Sequence, residues 1–150
     1  MEKRVQFHYL ARGVVIVDGK VLLAHQIGAG NTFLPGGHIE KRESAKQALV
    51  REIEEEIGQR ARIKRFLGAI EHIWSEATKD NHEINLLFEA EIDGLTSNDG
   101  PASLDPNLEF LWAKPEELVE VDLQPSALVR LVDSGSGPFD AFWGSSLHMD

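Results

Sequence analysis

Between residues 43 and 57 the apolar side chains Leu49, Ile53 and Ile57 return every four residues, and Gly58 follows at once. That period belongs to a helix with one buried stripe, and a glycine just past the last turn is where helices stop. The spacing predicts a helix from about Glu43 to Ile57. The same helix carries Glu52, Glu55 and Glu56 at i, i+3 and i+4, which puts three carboxylates on one face while Glu54 points away. Ala45 and Ala48, one turn back, are expected to leave room beside them. Like charges at this spacing cost an isolated helix about 0.2–0.5 kcal/mol per pair. The macrodipole also disfavours acids near a helix C-terminus. Stability does not ask for this arrangement. Three glutamates alone read first as a solvated acidic face; the chemical reading is a site for hard divalent cations, which take oxygen ligands and keep waters for a substrate phosphate.

The rest of the chain predicts strands around that helix. Val14-Val15-Ile16-Val17 and Val21-Leu22-Leu23-Ala24 flank Asp18-Gly19-Lys20, the pattern of a hairpin with an Asp-Gly turn. Gly28 to Asn31 reads as a loop. Pro35, Gly36 and Gly37 exclude regular structure on sequence grounds and let a backbone come close to a neighbour. Strands are expected over Ile63–Trp74 and Glu83–Ile92, the second with apolar residues alternating at Ile84, Leu86, Phe88, Ala90 and Ile92. A loop over Gly94–Pro106, a short strand over Leu108–Trp112, a helical turn at Pro115–Leu118 and a last helix through Val132 complete one α/β domain with a mixed sheet between helices. The division expected is a domain over 1–133 and a Gly/Ser linker with an aromatic tail over 134–150. That tail, with Phe139, Phe142 and Trp143, is expected to pack on its own core or on the partner of a homodimer.

The segment Gly36-Gly37-His38-Ile39-Glu40-Lys41-Arg42-Glu43, seven further residues, and Arg51-Glu52-Ile53-Glu54-Glu55-Glu56-Ile57-Gly58 resembles the Nudix box. Gly37, Glu43, Arg51, Glu52, Ile53, Glu55, Glu56 and Gly58 fall on the family positions. Gln59 departs, since the family prefers an apolar residue after the last glycine. The resemblance covers residues 37–59 in motif and about Ala11 to Val132 in order of elements. It implies the Nudix α/β/α sandwich and metal-dependent hydrolysis of a nucleoside diphosphate linked to another group. It also implies that Glu52, Glu55 and Glu56 bind Mg²⁺ or Mn²⁺ with the backbone carbonyl of Gly37 close by. Glu43 and Arg51 would form a buried pair orienting the helix. The chemistry suits such residues, because cations neutralise a diphosphate that otherwise repels attacking water.

The catalytic base stays open at this level: Glu55 or Glu56 within the box, or Glu109, three residues before Trp112, outside it. Glu83 and His82, placed near the loop between two strands, read first as surface residues. Arg12, Phe33 and Trp74 are candidates for holding substrate, with Trp143 a further aromatic. The cluster Arg60, Arg62, Lys64 and Arg65 suits a polyphosphate or a solvated strand start equally. Two other classes compete with hydrolysis: a module that binds a nucleotide without turnover, and an isomerase on the same fold, which usually brings a cysteine that this chain lacks.

The 150 residues carry a net charge of −10, with 42% hydrophobic residues and no cysteine. Absence of cysteine excludes disulfides, thiolate catalysis and Cys-based zinc sites. No apolar run approaches the roughly 20 residues of a membrane helix, and no apolar signal core follows Met1-Glu2-Lys3-Arg4, so a cytoplasmic address is expected. An acidic balance argues against bulk nucleic acid as partner; a small nucleotide is expected instead. The charge is uneven: residues 1–82 hold 13 basic and 11 acidic side chains, whereas residues 83–122 hold Lys114 against 11 acids. On that count a polyanionic substrate approaches the first part of the chain.

Overall fold

The computed structural model describes residues 2–134 and 141–147. The two β-branched runs become β1 (Arg4–Val14), β2 (Ile16–Val17) and β3 (Lys20–Gln26). Asp18 and Gly19 between them have φ of 52° and 75°, the left-handed pair that a two-residue hairpin turn requires. β1 begins well before the run that announced it. Its first half carries no buried apolar side chain, with Val5, Phe7 and Tyr9 exposed, so period alone did not mark it.

β4 (Thr32–Phe33) and β5 (Gly36–His38) follow. The second is a correction, because Gly36 and Gly37 do form a short strand with His38, antiparallel to β1 with Ala11 opposite Gly37. Gly36 makes this pairing feasible: at φ 137° it lies where a Cβ would stand 2.0 Å from the Ala11 carbonyl oxygen. The helix α1 spans Ala45–Ile57. It starts two residues later than expected because Ser44 caps it, accepting from the Gln47 amide while the Gln47 side chain accepts from the Ser44 amide. Gly58 ends it at φ 78°.

β6 (Ala61–Ser75) and β7 (Lys79–Ile92) form a long hairpin, then come β8 (Leu108–Ala113), a 3-10 turn at Pro115–Glu117, α2 (Ala127–Ser134) and β9 (Phe142–Ser145). One mixed sheet has the order β5-β1-β7-β6-β9, with β1 parallel to β7 and β6 parallel to β9. The other is antiparallel, with β2, β4 and β8 all paired to β3. This is the α/β fold expected, a mixed sheet with helices. Phe142 to Ser145 thus lie on the chain's own β6, with Arg130 over the Phe142 ring at 5.6 Å. Gly135 to Pro138 and Phe139, part of the expected linker and tail, lie outside the described residues.

Side-chain alternation sends the strands' apolar groups in two directions. Ala11, Val15, Leu22 and Ala24 pack with Leu49, Ile53 and Ile57 of α1. Val14, Val21, Leu23, Ile70 and Leu87 pack with Leu128 and Leu131 of α2. Burial on both faces is why Val21 to Ala24 of β3 read as a continuous apolar run. Ala48 is fully buried within the α1 core, so it seats the helix and leaves no space beside the acids, contrary to expectation. Among the described residues no helix is long and apolar enough to cross a membrane.

Candidate active site

Gly37 and α1 meet where β5 ends. A Cβ on Gly37 would lie 2.5 Å from Glu52 Cδ and 2.7 Å from both carboxylate oxygens. Only a residue without a side chain lets the Glu52 carboxylate lie against this backbone.

Arg51 gathers the acids. Its Nε and one terminal nitrogen donate to the two oxygens of Glu43 at 2.7 and 2.9 Å, a bidentate pair. The other terminal nitrogen donates to Glu52 at 3.0 Å and to Glu55 at 3.3 Å. The His38 carbonyl accepts from the same guanidinium at 3.0 Å, which ties β5 to the helix. The Arg51 hydrogen bond, reinforced by the Glu40 amide, holds the Glu43 carboxyl down to about 2; Glu43, foremost, and Glu52 hold the guanidinium above its ordinary value. With side chains 25% and 15% exposed, Arg51 and Glu43 are half-buried rather than buried.

Glu56 stands deeper. Its Oε2 is buried without a hydrogen-bond partner. Burial, then the charge of Glu52, pushes its carboxyl up to about 8, against the pull of Arg12. Among the described residues no three acidic or imidazole groups converge as a ready cage, because Arg51 draws Glu52 and Glu55 towards itself. The donor set still fits a hard cation, since Glu52, Glu55 and Glu56 share one helix face and the buried Glu56 Oε2 is an oxygen ligand with no hydrogen-bond partner. Glu54 and Gln59 are exposed, which explains how a polar residue is accommodated at position 59.

On the α2-facing side of the mixed sheet opens a cleft of about 640 Å³, within the range of small-molecule sites and lined by none of the three acids. Arg12, Phe33 and Trp74, the three expected substrate contacts, all line it. The Arg12 guanidinium lies 5.4 Å from the Phe33 ring centroid and donates to the Leu34 carbonyl at 3.2 Å. Burial lowers its pKa, opposed by the charges of Glu83, Glu56 and Glu52. Arg12 therefore lines the cleft and feels the charges of Glu56 and Glu52 of α1.

Other expected residues fall elsewhere. Glu109 lies on β8, where its carboxylate takes the His25 Nδ1 at 2.7 Å, and it does not line the cleft. Glu83 and His82 sit inside the β6–β7 pairing rather than near the loop, opposite His72 and Ile73. Glu83 lines the cleft, while His82 stacks on Phe7 at 5.2 Å. Trp143 is exposed on β9. Of the basic cluster, Arg62 and Lys64 pair with Glu91, Arg62 with Asp93, and Arg65 with Glu89. The basic and acidic parts of the sequence thus neutralise each other across β6 and β7, which corrects the picture of two separated halves. His72, Asn85, Asp122 and Gln124 also line the cleft, and no sequence pattern marked them, because strand register and a turn before α2 bring them there.

A family model described as NUDIX domain matches residues 8–132. A CTP pyrophosphohydrolase of Escherichia coli is 29% identical over 126 residues, covering 76% of this chain and 81% of that protein. An ADP-ribose pyrophosphatase of Methanocaldococcus jannaschii is 34% identical over 89 residues, covering 55% of this chain and 49% of that one. A solved MutT NUDIX hydrolase from Burkholderia pseudomallei superposes with a TM-score of 0.61 at 26% identity, over 85% of this chain and 95% of that one. Taken with the box and the fold around it, these likenesses place the chain in the NUDIX domain family, as a Nudix hydrolase.

Proposed function

We propose that this chain hydrolyses the diphosphate bond of a nucleotide or nucleotide derivative, with a divalent cation, Mg²⁺ or Mn²⁺, held by Glu52, Glu55, Glu56 and the Gly37 carbonyl. Nudix hydrolases in general use divalent metals and cleave pyrophosphate linkages; the nucleotide and the named ligands are specific to this reading. The observation that carries it is the double position of Arg12, which lines the cleft and is electrostatically coupled to Glu52 and Glu56. A substrate whose base enters the cleft thereby brings its phosphates to the acid cluster.

A bound cation would supply charge neutralisation of the diphosphate and a lowered pKa for attacking water. The protein's own residues do the rest. Arg51 and Glu43 fix the rotamers of Glu52 and Glu55 relative to β5. We assign the proton of the attacking water to Glu55 or Glu56; the Glu56 carboxyl, pushed up to about 8, serves in its ionised form. Glu109 receives no catalytic role here, because His25 occupies its carboxylate outside the cleft. Phe33 and Trp74 offer ring surface to a base, and Arg12 offers charge to the phosphate nearest it.

The test is a screen with Mg²⁺ or Mn²⁺ against nucleoside triphosphates, dinucleoside polyphosphates, nucleotide sugars and ADP-ribose. Release of a nucleoside monophosphate from at least one of them is expected. Calorimetric binding with no product from any would remove the hydrolytic reading.

A further inference from the structure

The cleft floor is the α2-facing side of the mixed sheet, and its chemistry changes along the strands. Where α2 covers it, that face carries Val14, Ile70 and Leu87. Where it opens, the same alternation brings Arg12, His72, Trp74, Glu83 and Asn85. A buried face that turns polar at one end has given up core packing there, and each polar group needs a partner.

Two of these groups lack a full set. His72 and Glu83 are register partners on β6 and β7, neighbours on one face at cross-strand distance. Buried His72 Nδ1 has no hydrogen-bond partner, and burial lowers the ring's pKa against the pull of Glu83. Glu83 accepts one bond, from Trp74 Nε1 at 3.0 Å. Among the described residues no cation stands within ion-pair distance of it. An ionised carboxylate has about four acceptor positions and no donor. The floor therefore presents an acceptor-only carboxylate beside the imidazole of His72, and both residues line the cleft.

We infer that Glu83 and His72 read the edge of the base, and that the base carries an exocyclic amino group. An amino group donates to the Glu83 carboxylate, and in cytosine or adenine the adjacent ring nitrogen meets His72. Uracil and thymine offer one ring N–H flanked by two carbonyl oxygens, which a carboxylate repels. The inference rests on the proposed nucleotide substrate but names what that proposal leaves open.

The experiment is calorimetric titration of the full chain with CMP, AMP and UMP, which needs no turnover. CMP or AMP is expected to bind about tenfold or more tightly than UMP, the scale of one charge-assisted hydrogen bond. In Glu83→Gln, whose amide can both donate and accept, the ratio to UMP should fall to about twofold or less. Trp74→Phe keeps a ring at the rim but frees Glu83, and should reduce the same ratio while circular dichroism stays unchanged. UMP binding as well as the amino-bearing nucleotides, a ratio untouched by Glu83→Gln, or no binding of any of the three would each overturn the inference. If the substrate screen yields no product while CMP and UMP still differ, the base-reading pair stands and the hydrolytic proposal falls.

Discussion

The Glu52 carboxylate lies flat against the Gly37 backbone, so close that both its oxygens would stand 2.7 Å from any Cβ placed there. Gly37→Ala should therefore push Glu52 out of position without unfolding α1, which the buried stripe of Leu49, Ile53 and Ile57 still anchors. Affinity for Mn²⁺, measured by calorimetry, should drop by roughly tenfold or more, the usual size of a disturbed metal shell. Unchanged affinity would take Glu52 out of the metal site.

Glu52→Gln and Glu55→Gln keep shape and lose charge. Each should lower kcat on the substrate found in the screen by on the order of 10² or more, as removal of an electrostatic catalytic group does. Glu54→Gln, an exposed neighbour on the same helix, should leave kcat within about twofold. Equal rates in all three would show that the acidic face is only solvated.

The bidentate pair of Arg51 and Glu43 makes a prediction about acid. Glu43 is held down to about 2, below the ordinary value of 4.5, by the Arg51 hydrogen bond first and the Glu40 amide second. A depressed carboxyl contributes stability that is present above about pH 4.5 and is lost as pH falls towards 2. Urea unfolding of wild type and Glu43→Gln should differ at pH 6 and converge below about pH 2. A gap that stays constant down to pH 2 would mean that the carboxylate's charge plays no part.

His25 tests the opposite sign. Its Nε2 faces the Ala29 carbonyl at 2.6 Å and its Nδ1 faces Glu109 at 2.7 Å. Both partners are acceptors, so only the imidazolium satisfies both. The Ala29 carbonyl, then Glu109, raises the His25 pKa. This contribution is complete below about pH 6.5 and is lost as pH rises through the raised folded value. An NMR titration should place His25 above 6.5 in the folded chain and nearer 6.5 in Glu109→Gln. A value at or below 6.5 in wild type would show that the ring does not bridge the two.

Truncation after Ser134 removes β9. Gly144 of that strand sits between Ala127 of α2 and Ile70 of β6, where even a methyl group would be tight at 3.0–3.2 Å. Loss of the strand uncovers the β6 edge and should lower the melting temperature by several degrees, for about 1–3 kcal/mol. An unchanged melt would show that the strand contributes nothing to the core.

Much of α1 is legible in the residues themselves. Leu49, Ile53, Ile57 and Gly58 announce α1 through local periodicity, and the i, i+3, i+4 placement of the three glutamates follows from helical geometry alone. The pairing of Glu43 with Arg51 was legible only through the resemblance, because eight residues of separation do not by themselves say that two side chains meet. Ser44 was overlooked as the cap, although Gln47 three residues on completes the sign.

What the tertiary structure decided is everything that depends on two distant strands sharing a register. Glu83 reads from sequence as a surface residue at the start of a strand; pairing with β1 and β6 makes it part of a cleft floor. Glu109 looked available, and the β3–β8 register sets it against His25. The basic cluster after the helix looked like a phosphate magnet until β7 brought Glu89, Glu91 and Asp93 across from it. Short-range spacing determines which groups a helix presents, since 3.6 residues per turn fixes their direction. Non-local pairing determines which of them face a cavity and which face an opposite charge, and no one segment of the chain encodes that.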